Sequence, residues 1–399
     1  MEQEKSKLAQ FVVEHADDDT SKLLFAASKY PGIDIRRAAT MIEARRKALS
    51  KLPSWHAHPE IDYPTSLWME QCSSEATALY KRRFVPEGAK ATADITCGLG
   101  VDSWAIAACS AAHDCCERDA LLAETARGNF ATLGADNITV HCTDAAAFIQ
   151  EAIADGKRFD MIYADPARRG SGDRRIYSIT DCEPDIASLE EQLLRLTDRL
   201  LVKVSPMADI SRTLKQFPRT SELHVVAVDN ECKELLMVID RFHAGNCRIV
   251  AADIRRCGTV TFETESGEEE RSTVRYADQI GRYLFIPGRA VLKSGAFKTL
   301  SARFDAAKLA PSTHIYTADT DIADFPGRRF RVVEVLPFDK KGIASFTSRY
   351  REAELLAVNF PLDTAALRKR LGTKDGGRNF VTATVIGKEK VLAVLERIA

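Results

Sequence analysis

The run ATADITCGLGVD at residues 91–102 constrains the fold more than any other part of the chain. A strand-like stretch ends at Asp94, and Gly98 and Gly100 follow before a helix-like stretch begins. Glycine permits the sharp turn and the close approach to a ligand that occur at the carboxyl end of the first strand of an open α/β sheet. The run therefore predicts a strand, a glycine turn and then a helix over residues 102–111.

The charges around this turn indicate what kind of ligand would fit it. The dinucleotide-binding fingerprint needs a third glycine, and Ser103 occupies that place. Asp94 and Asp102 would repel a pyrophosphate, whereas they suit a ligand that carries an ammonium and a sulfonium group. A tight strand-to-helix turn without a ligand is the alternative, because a glycine pair alone is a weak signal.

Two further strand-like stretches end in acids. Residues 113–117 close on Glu117, near the interval of about 20 residues at which doubly wound folds place an acid for ribose hydroxyls. Asp119 is expected to cap a helix over residues 120–133. Residues 137–144 close on Asp144, which is expected beside an adenine and can also cap a helix over residues 145–154.

Five stretches of the chain resemble the class I S-adenosylmethionine-dependent methyltransferases. They are DITCGLGVD at 94–102, CCERD at 115–119, ARGNF at 126–130, CTDA at 142–145 and YADPARRG at 163–170. The resemblance implies a Rossmann-like α/β fold with a seven-stranded sheet whose last strand is antiparallel, and S-adenosyl-L-methionine as cofactor. The residues that it implies for cofactor binding are Ser74, Thr77, Asp94, Cys97, Gly98, Gly100, Asp102, Glu117, Arg118, Asp144, Ala145 and Asp165.

Three other stretches are similar to a bacterial group of these enzymes that has a C-terminal THUMP-like domain. They are YPTSLWMEQCSSEATA at 63–78, GRAVLKSG at 288–295 and LRKRLGTKDGG at 367–377. With them the resemblance spans most of the chain. It implies that residues 73–77 form a lid over the methionine end of the cofactor, and a plain helix cap is the alternative for this stretch.

A length of 399 residues is too long for one ordinary domain. Residues 1–80 are predicted to form a helical domain, because apolar residues recur at intervals of three and four. Residues 81–245 alternate strands with helices and are predicted to form the methyltransferase domain, which closes on an antiparallel hairpin at 224–239. Small α+β modules are predicted beyond it, a ferredoxin-like one at 246–336, with a polar linker at 263–271 and a helical stretch at 288–309, and a THUMP-like one at 337–399.

The reaction chemistry is expected at Asp165, Pro166 and Arg168, after the predicted strand 159–164. Methyltransferases that act on amino groups have a D/N-P-P-aromatic motif at this place, and here Ala167 and Arg168 replace its last two residues. The string DPARRG also resembles the DPPRxG of uracil-5 methyltransferases, but no cysteine nucleophile occurs in the stretch VKVSPM at 202–207. Lys203 is expected near the mouth of the pocket, and an ordinary strand end is the alternative.

A basic cluster surrounds this motif. Its members are Lys157, Arg158, Arg168, Arg169, Arg174 and Arg175. Such local density suits phosphate neutralisation, and guanidinium planes can stack on unpaired bases, so RNA is the expected partner, bound by Arg168, Arg169, Arg174 and Arg175. A solvated charged face is the alternative. Further cations would extend the cluster if the helical domain covers the same face: Arg45, Arg46, Lys47, Lys51, Lys81, Arg82 and Arg83.

The composition excludes several other classes of protein. The net charge is −1, so any binding of nucleic acid must depend on local patches. Ten cysteines lie without CxxC pairs or zinc-like spacing, so we expect neither a disulfide framework nor a metal site. We expect a cytoplasmic protein, because no apolar run reaches about 18 residues and the amino terminus is unlike a signal peptide.

The sequence thus predicts a methyltransferase that acts on structured RNA, with transfer to nitrogen favoured over carbon or oxygen. One alternative is a methyltransferase for a small molecule or a protein, which would be favoured if the basic side chains are paired with acids. The other is a non-catalytic RNA-binding protein that retains the cofactor fold, which the incomplete D-P-P-aromatic motif suggests.

Overall fold

The computed structural model describes residues 2–168 and 182–398, apart from the side chains of residues 2–6 and of Arg168. The chain divides into two compact units, which we call the first and the second unit. The first comprises Met1–Glu222 and Lys233–Gly245, and the second comprises Leu223–Cys232 and Asn246–Ala399. Among the described residues, every helix is too short or too polar to span a membrane.

The amino-terminal part of the first unit is helical, in agreement with its apolar periodicity. Its helices are α1 Glu2–Glu14, α2 Thr20–Phe25, α3 Ile35–Lys51, α4 Pro53–His56, α5 Ser66–Gln71 and α6 Glu75–Lys81. Asp19 and Asp34 cap α2 and α3 by accepting backbone hydrogen bonds. Trp55 is fully buried and meets Trp104 edge-on with ring centroids 6.1 Å apart, so both rings pack the core.

A mainly parallel sheet forms the rest of the first unit. Its strands are β1 Ala89–Asp94, β2 Ser110–Cys116, β3 Ile138–His141, β4 Met161–Ala164, β5 Arg199–Val204 and most of β7 Glu231–Asp240. Strand β6 Thr220–Val228 begins in the first unit, and its residues from Leu223 onward belong to the second. The order 3-2-1-4-5-7 places β1 and β4 side by side at the centre. Parallel pairing joins the first five strands, and β7 runs antiparallel to β5. The carboxyl ends of β1, β2, β4 and β5 therefore share one edge.

The predicted terminal hairpin is present. Its turn consists of Asp229 and Asn230, whose φ angles of 48° and 63° are typical of a two-residue type I′ connection. The start of β6 lies beside β7, because Ser221 Oγ donates to the Val238 carbonyl at 3.4 Å. The helices between the strands are α7 Val101–Ala107, α8 Ala120–Thr132, α9 Ala145–Ala154, α10 Ile186–Leu196 and α11 Ile210–Gln216.

The second unit contains a seven-stranded sheet. Its strands are β10 Tyr283–Pro287, β11 Ala307–Ala310, β12 Thr313–Ala318, β13 Gly327–Pro337, β14 Glu354–Ala357, β15 Asn379–Ile386 and β16 Glu389–Arg397, in the order 11-12-10-13-16-15-14. Strands β8 Arg248–Arg255 and β9 Gly258–Glu265 form an antiparallel pair before it. The helices are α12 Glu268–Arg271, α13 Arg289–Ser294, α14 Phe297–Phe304, α15 Lys340–Arg349 and α16 Thr364–Leu371. The division of the whole chain at residues 80, 245 and 336 stays a prediction.

Three predicted elements are wrong in extent. The helix predicted at 102–111 ends at Ala107, because Ser110 onward pairs with β1 and this pairing overrides the helix propensity of the alanines. The polar linker at 263–271 is instead the end of β9 and helix α12, joined through Gly267 at φ 82°. The helical stretch predicted at 288–309 is two helices followed by the buried strand β11.

Candidate cofactor and acceptor site

The turn after β1 is organised by Asp94, whose side chain is fully buried. Its Oδ1 accepts hydrogen bonds from the Thr96 backbone at 2.8 Å and the Thr96 hydroxyl at 3.1 Å, and its Oδ2 accepts one from Ser103 Oγ at 2.7 Å. Burial raises the pKa of Asp94 to about 7, although the hydrogen bonds from Ser103 and Thr96 favour its charged form. Asp94 therefore shapes the turn from within, and its contact with a cofactor stays a prediction.

The two glycines occupy backbone conformations that other residues rarely adopt. Gly98 has φ 57° and Gly100 has φ 90°. A Cβ on Gly100 would lie 2.4 Å from the ring of Phe130, so the close packing of α8 also requires glycine there. A Cβ on Gly98 would meet only the Thr96 carbonyl oxygen, at 3.9 Å, so the backbone of this residue borders open space.

Glu117 joins this turn to the end of β2. Its Oε2 accepts from the Gly98 N–H at 2.9 Å, and its Oε1 accepts from the Asp119 N–H at 2.9 Å. A carboxylate has about four lone-pair sites, so each oxygen can accept a further hydrogen bond from a ligand hydroxyl. The half-buried Glu117 thus lies where the sequence predicted a ribose-binding acid.

The other residues predicted for the cofactor lie along the same edge. Cys97 is buried and donates its N–H to the Cys116 carbonyl at 3.0 Å, which ties the turn to β2. Asp144 is exposed and caps α9 through the Ala147 N–H at 2.8 Å, so its predicted capping role is confirmed. Ala145 is the first residue of that helix. Arg118 is exposed and pairs with Glu183 at 3.0 Å.

Asp165 and Lys203 meet at the ends of the adjacent strands β4 and β5. Lys203 Nζ lies 2.6 Å from Asp165 Oδ2, and the Asp165 N–H donates to Thr96 Oγ1 at 2.7 Å. Burial opposes the charge on Lys203, but the carboxylates of Asp165, Glu234 and Asp102 outweigh it and hold its pKa above the usual value. Lys203 is consequently a cation that anchors Asp165. Among the described residues, none hydrogen-bonds Asp165 Oδ1.

A buried charge cluster lies next to this pair, and the sequence did not predict it. It comprises Ser73, Lys81, Asp102, Tyr163 and Glu234. Lys81 is fully buried, with Nζ 3.0 Å from Asp102 Oδ1 and 2.8 Å from Glu234 Oε1. Asp102 Oδ2 accepts from Ser73 Oγ and from the Tyr163 hydroxyl at 2.7 and 2.8 Å.

The cluster continues into the site through Ser73, whose hydroxyl oxygen also lies 3.4 Å from Lys203 Nζ. Burial opposes the charge on Asp102, but Lys81 and Lys203 outweigh it and lower its pKa, whereas burial raises the pKa of Glu234. Asp102, expected to face the cofactor, thus has its carboxylate bound to protein groups. The sequence gives no clear signal for this cluster, because Lys81 begins the basic run at residues 81–83 and its pairing with Asp102 and Glu234 depends on the fold.

The stretch predicted as a lid contains a helix cap. Ser74 Oγ accepts from the Thr77 N–H at 3.3 Å, and Thr77 Oγ1 donates to the Ser74 carbonyl at 3.0 Å. The capping interpretation is therefore confirmed for Ser74, and cofactor contact by either residue stays a prediction. Pro166 is buried, and Ala167–Arg168 pairs antiparallel with Cys182–Glu183.

The predicted RNA-binding arginines at 169, 174 and 175 lie outside the described residues, as does the Arg168 side chain. The other members of the basic cluster have partners. Arg158 lies 2.9 Å from Asp198, and Lys157 lies 3.4 Å from Asp114. Of the residues expected to extend the cluster, Arg45 donates to two backbone carbonyls, Lys47 pairs with Glu70, and Lys81 is buried. These cations are not displayed as a free basic face.

The chemistry of this edge suits S-adenosyl-L-methionine. Glu117 offers lone pairs at a position for ribose hydroxyls, and Gly98 leaves room for close approach. The turn at residues 95–102 contains no lysine or arginine for a pyrophosphate, and the nearby acids Glu117 and Asp144 disfavour one. Among the described residues, no group of three or more His, Cys, Asp or Glu could hold a metal ion.

Comparisons with known proteins agree with this architecture. Family models of a ferredoxin-like domain and of a THUMP-like domain match residues 283–326 and 327–397. The crystal structure of a proposed methyltransferase from Porphyromonas gingivalis W83 is 32% identical in sequence, with a TM-score of 0.91, over 100% of this chain and 99% of that one. No curated protein matches the chain.

Two other solved structures are similar over part of the chain. SMU.776, a proposed methyltransferase complexed with SAH, is 15% identical over 41% of this chain and 48% of its own, with a TM-score of 0.34. An rRNA methylase from Streptococcus thermophilus is 13% identical over 42% of this chain and 94% of its own, with a TM-score of 0.31. Both scores are too low to support an argument about this chain.

Proposed function

Because the chain belongs to the class I S-adenosylmethionine-dependent methyltransferases with a C-terminal THUMP-like domain, we propose that it transfers the methyl group of S-adenosyl-L-methionine to a nitrogen atom of structured RNA. The observation that supports this proposal is that two contacts lie at the same edge of the sheet. They are the Gly98–Glu117 hydrogen bond and the Asp165–Lys203 ion pair. A cofactor and an acceptor held there would be close enough for direct transfer.

The residues of the turn hold the cofactor in this proposal. Glu117 accepts hydrogen bonds from the ribose, Gly98 allows the ligand to approach the backbone, and Asp144 lies beside the adenine. The bound cofactor supplies a methyl group that its sulfonium has already activated. The protein mainly positions the two reactants, which contributes up to roughly 7–11 kcal/mol in favourable cases.

Asp165 receives the acceptor amine. Its Oδ1 accepts a hydrogen bond from the amine N–H, and this interaction orients the nitrogen lone pair. Lys203 keeps the carboxylate in place through Oδ2 at 2.6 Å, so the carboxylate loses no freedom when the acceptor binds. The proton released on transfer passes to Asp165 or to water.

Titration calorimetry tests the cofactor assignment. The full chain is titrated with S-adenosyl-L-methionine, S-adenosylhomocysteine, NAD and ATP. We expect the first two to bind more tightly than the others, because the turn at residues 95–102 contains no cation that could bind a phosphate. Tighter binding of NAD or ATP would overturn the proposal.

Mass spectrometry of modified nucleosides tests the substrate. RNA from cells that lack the protein should lose one methylated nucleoside, and purified protein should restore it on that RNA. Salt dependence gives a second test. Binding of bulk RNA should weaken steeply with salt, and removing Arg168 and Arg169 should flatten that slope.

A small-molecule or protein substrate is the second candidate. The observation that favours it is the pairing of Lys157 and Arg158 with acids, which leaves less free positive charge near the motif. RNA affinity that is absent below physiological ionic strength, together with methyl transfer to another acceptor, would favour it. Failure to turn over the cofactor with any acceptor would instead indicate a non-catalytic protein.

A further inference from the structure

The second unit contains a depression of about 680 Å³ far along the chain from the strand ends that hold Asp94 and Asp165. Apolar rings and cations line it together. The lining residues that matter here are Phe338, Phe360, Leu362, Lys369, Arg370 and Lys390. The volume is within the range of about 300–1,000 Å³ typical of small-ligand pockets.

Two aromatic rings form its apolar wall. Phe338 and Phe360 meet at nearly right angles, 84°, with ring centroids 4.8 Å apart. Backbone contact fixes Phe338, whose N–H donates to the Lys390 carbonyl at 2.9 Å. Both rings pack on the core below and are only half-buried, so part of each stays available to a ligand.

Three cations stand around these rings. Leu367 and Leu371 of helix α16 are buried in the core, and the exposed Lys369 and Arg370 of the same helix line the depression. Lys390 joins them from β16. Within the described part of the chain, none of the three side chains forms an ion pair or a hydrogen bond, whereas neighbouring Arg368 pairs with Asp375 at 2.7 Å.

A second depression, of about 630 Å³, adjoins the first and shares Phe360 and Leu362 with it. Its lining is more polar and includes Asn359 and Thr364. The carboxylate of Asp363 is directed to the cap of α16, where it accepts from the Ala366 N–H at 2.7 Å. Asp363, which lines the second depression, is therefore already hydrogen-bonded.

We propose that this depression binds a nucleotide, with the base against Phe338 and Phe360 and the phosphate among Lys369, Arg370 and Lys390. Partly exposed aromatic rings can stack on any base, and three cations without a partner among the described residues attract phosphate. The ligand is either a free nucleotide or one nucleotide of an RNA strand, since both present a base and a phosphate. This site does not depend on the proposed methyl transfer.

Fluorescence anisotropy with labelled, 5′-phosphorylated pentauridylate tests the site on the full chain. Uridine avoids competition for an adenine pocket, and saturating S-adenosylhomocysteine blocks that pocket as well. The double variant Lys369→Gln/Lys390→Gln should weaken binding about tenfold or more, because each lysine loses a charged contact to phosphate. Phe360→Leu, which keeps apolar volume, should weaken it about fivefold or more.

Lys388→Gln is the matched control, because this exposed lysine precedes Lys390 on the same hairpin and does not line the depression. It should bind within about twofold of the unmodified chain. Competition by free UMP would identify a free nucleotide as the ligand, and binding of the oligonucleotide alone would identify a strand. Absence of binding by both probes, or equal losses in the pocket variants and the control, would overturn the proposal.

Discussion

The first unit contains two kinds of buried or half-buried acid. Asp94 and Glu117 accept hydrogen bonds from backbone and hydroxyl groups in or next to the glycine turn. Asp102 and Glu234 instead face Lys81, a side chain from a different helix. The first kind orders a turn and leaves lone pairs for a ligand, whereas the second neutralises a buried cation. Similar residues thus order a turn in one place and neutralise a buried cation in the other.

Asp165 lies at the end of a strand of the sheet, as Asp94 and Glu117 do, and it also pairs with a lysine, Lys203. We expect its replacement to have the largest effect on function. Asp165→Ala should lower methyl transfer by roughly 10²–10⁴-fold if the carboxylate acts as a general base, and by less if it only orients the acceptor. Cofactor affinity should stay unchanged. Turnover per folded molecule on the identified substrate, together with calorimetry of S-adenosylhomocysteine, measures both.

Turnover within a few-fold of the unmodified chain, with a lower melting temperature, would show that Asp165 merely stabilises the turn after β4. Lys203 and Arg168 would then be the next residues to test for the catalytic role.

Lys81 tests the acids of the second kind. Lys81→Met leaves Asp102 and Glu234 buried without their cation, and we expect the free energy of unfolding to fall by about 3–5 kcal/mol. Lys90→Met is the matched control, because Lys90 is exposed and should change stability by no more than about 0.5 kcal/mol. Urea denaturation compares the two. Equal stability of the two variants would mean that the buried charge cluster does not hold the fold.

The same contrast explains what could be predicted from the sequence. The turn around Gly98 and the strand-end positions of Glu117 and Asp165 follow from local patterns of strand, glycine and acid, and the structure places them at one edge. The Lys81–Asp102–Glu234 contacts join parts of the chain that are far apart, so no local pattern indicates them. Lys203 was predicted near the pocket, but its distance to Asp165 depends on the pairing of β4 with β5.

The fold shows the same limit. Alternating strands and helices predicted the order of elements in the first unit, and α9 has the predicted bounds. The first residues of β2, Ser110 and Ala111, were assigned to a helix, whereas pairing with β1 makes them part of a strand. In the second unit, β11 was missed for a similar reason, since the short stretch AKLA does not distinguish a buried strand from a helix.

Glu117 tests the acids of the first kind through the cofactor. Glu117→Ala should weaken binding of S-adenosylhomocysteine by about 1.5–3 kcal/mol for each hydrogen bond to the carboxylate that is lost. Glu87→Ala, which removes an exposed acid, is the control and should leave the affinity unchanged. Calorimetry measures both variants. Unchanged affinity for the Glu117 variant would remove Glu117 from the site.

Asp94 gives the smallest effect, and it appears only as a dependence on pH. Burial raises the pKa of Asp94 to about 7 from a usual value of 3.8. A raised pKa means that the folded protein binds the proton more tightly than the unfolded chain, so this contribution to stability is complete below about pH 4 and is lost as the pH rises through about 7.

Asp94→Asn removes this titration and so isolates it. The free energy of unfolding of the unmodified chain, minus that of the variant, should fall by about 1.4 kcal/mol between pH 6 and pH 8, since this range spans the equivalent of one pKa unit. Only the change with pH matters, because the amide also alters the hydrogen bonds with Thr96 and Ser103 by an amount that does not titrate. Urea denaturation at several pH values gives this difference. A constant difference across that range would mean that Asp94 stays ionised throughout. The hydrogen-bond donors on both oxygens would then outweigh the effect of burial on its pKa.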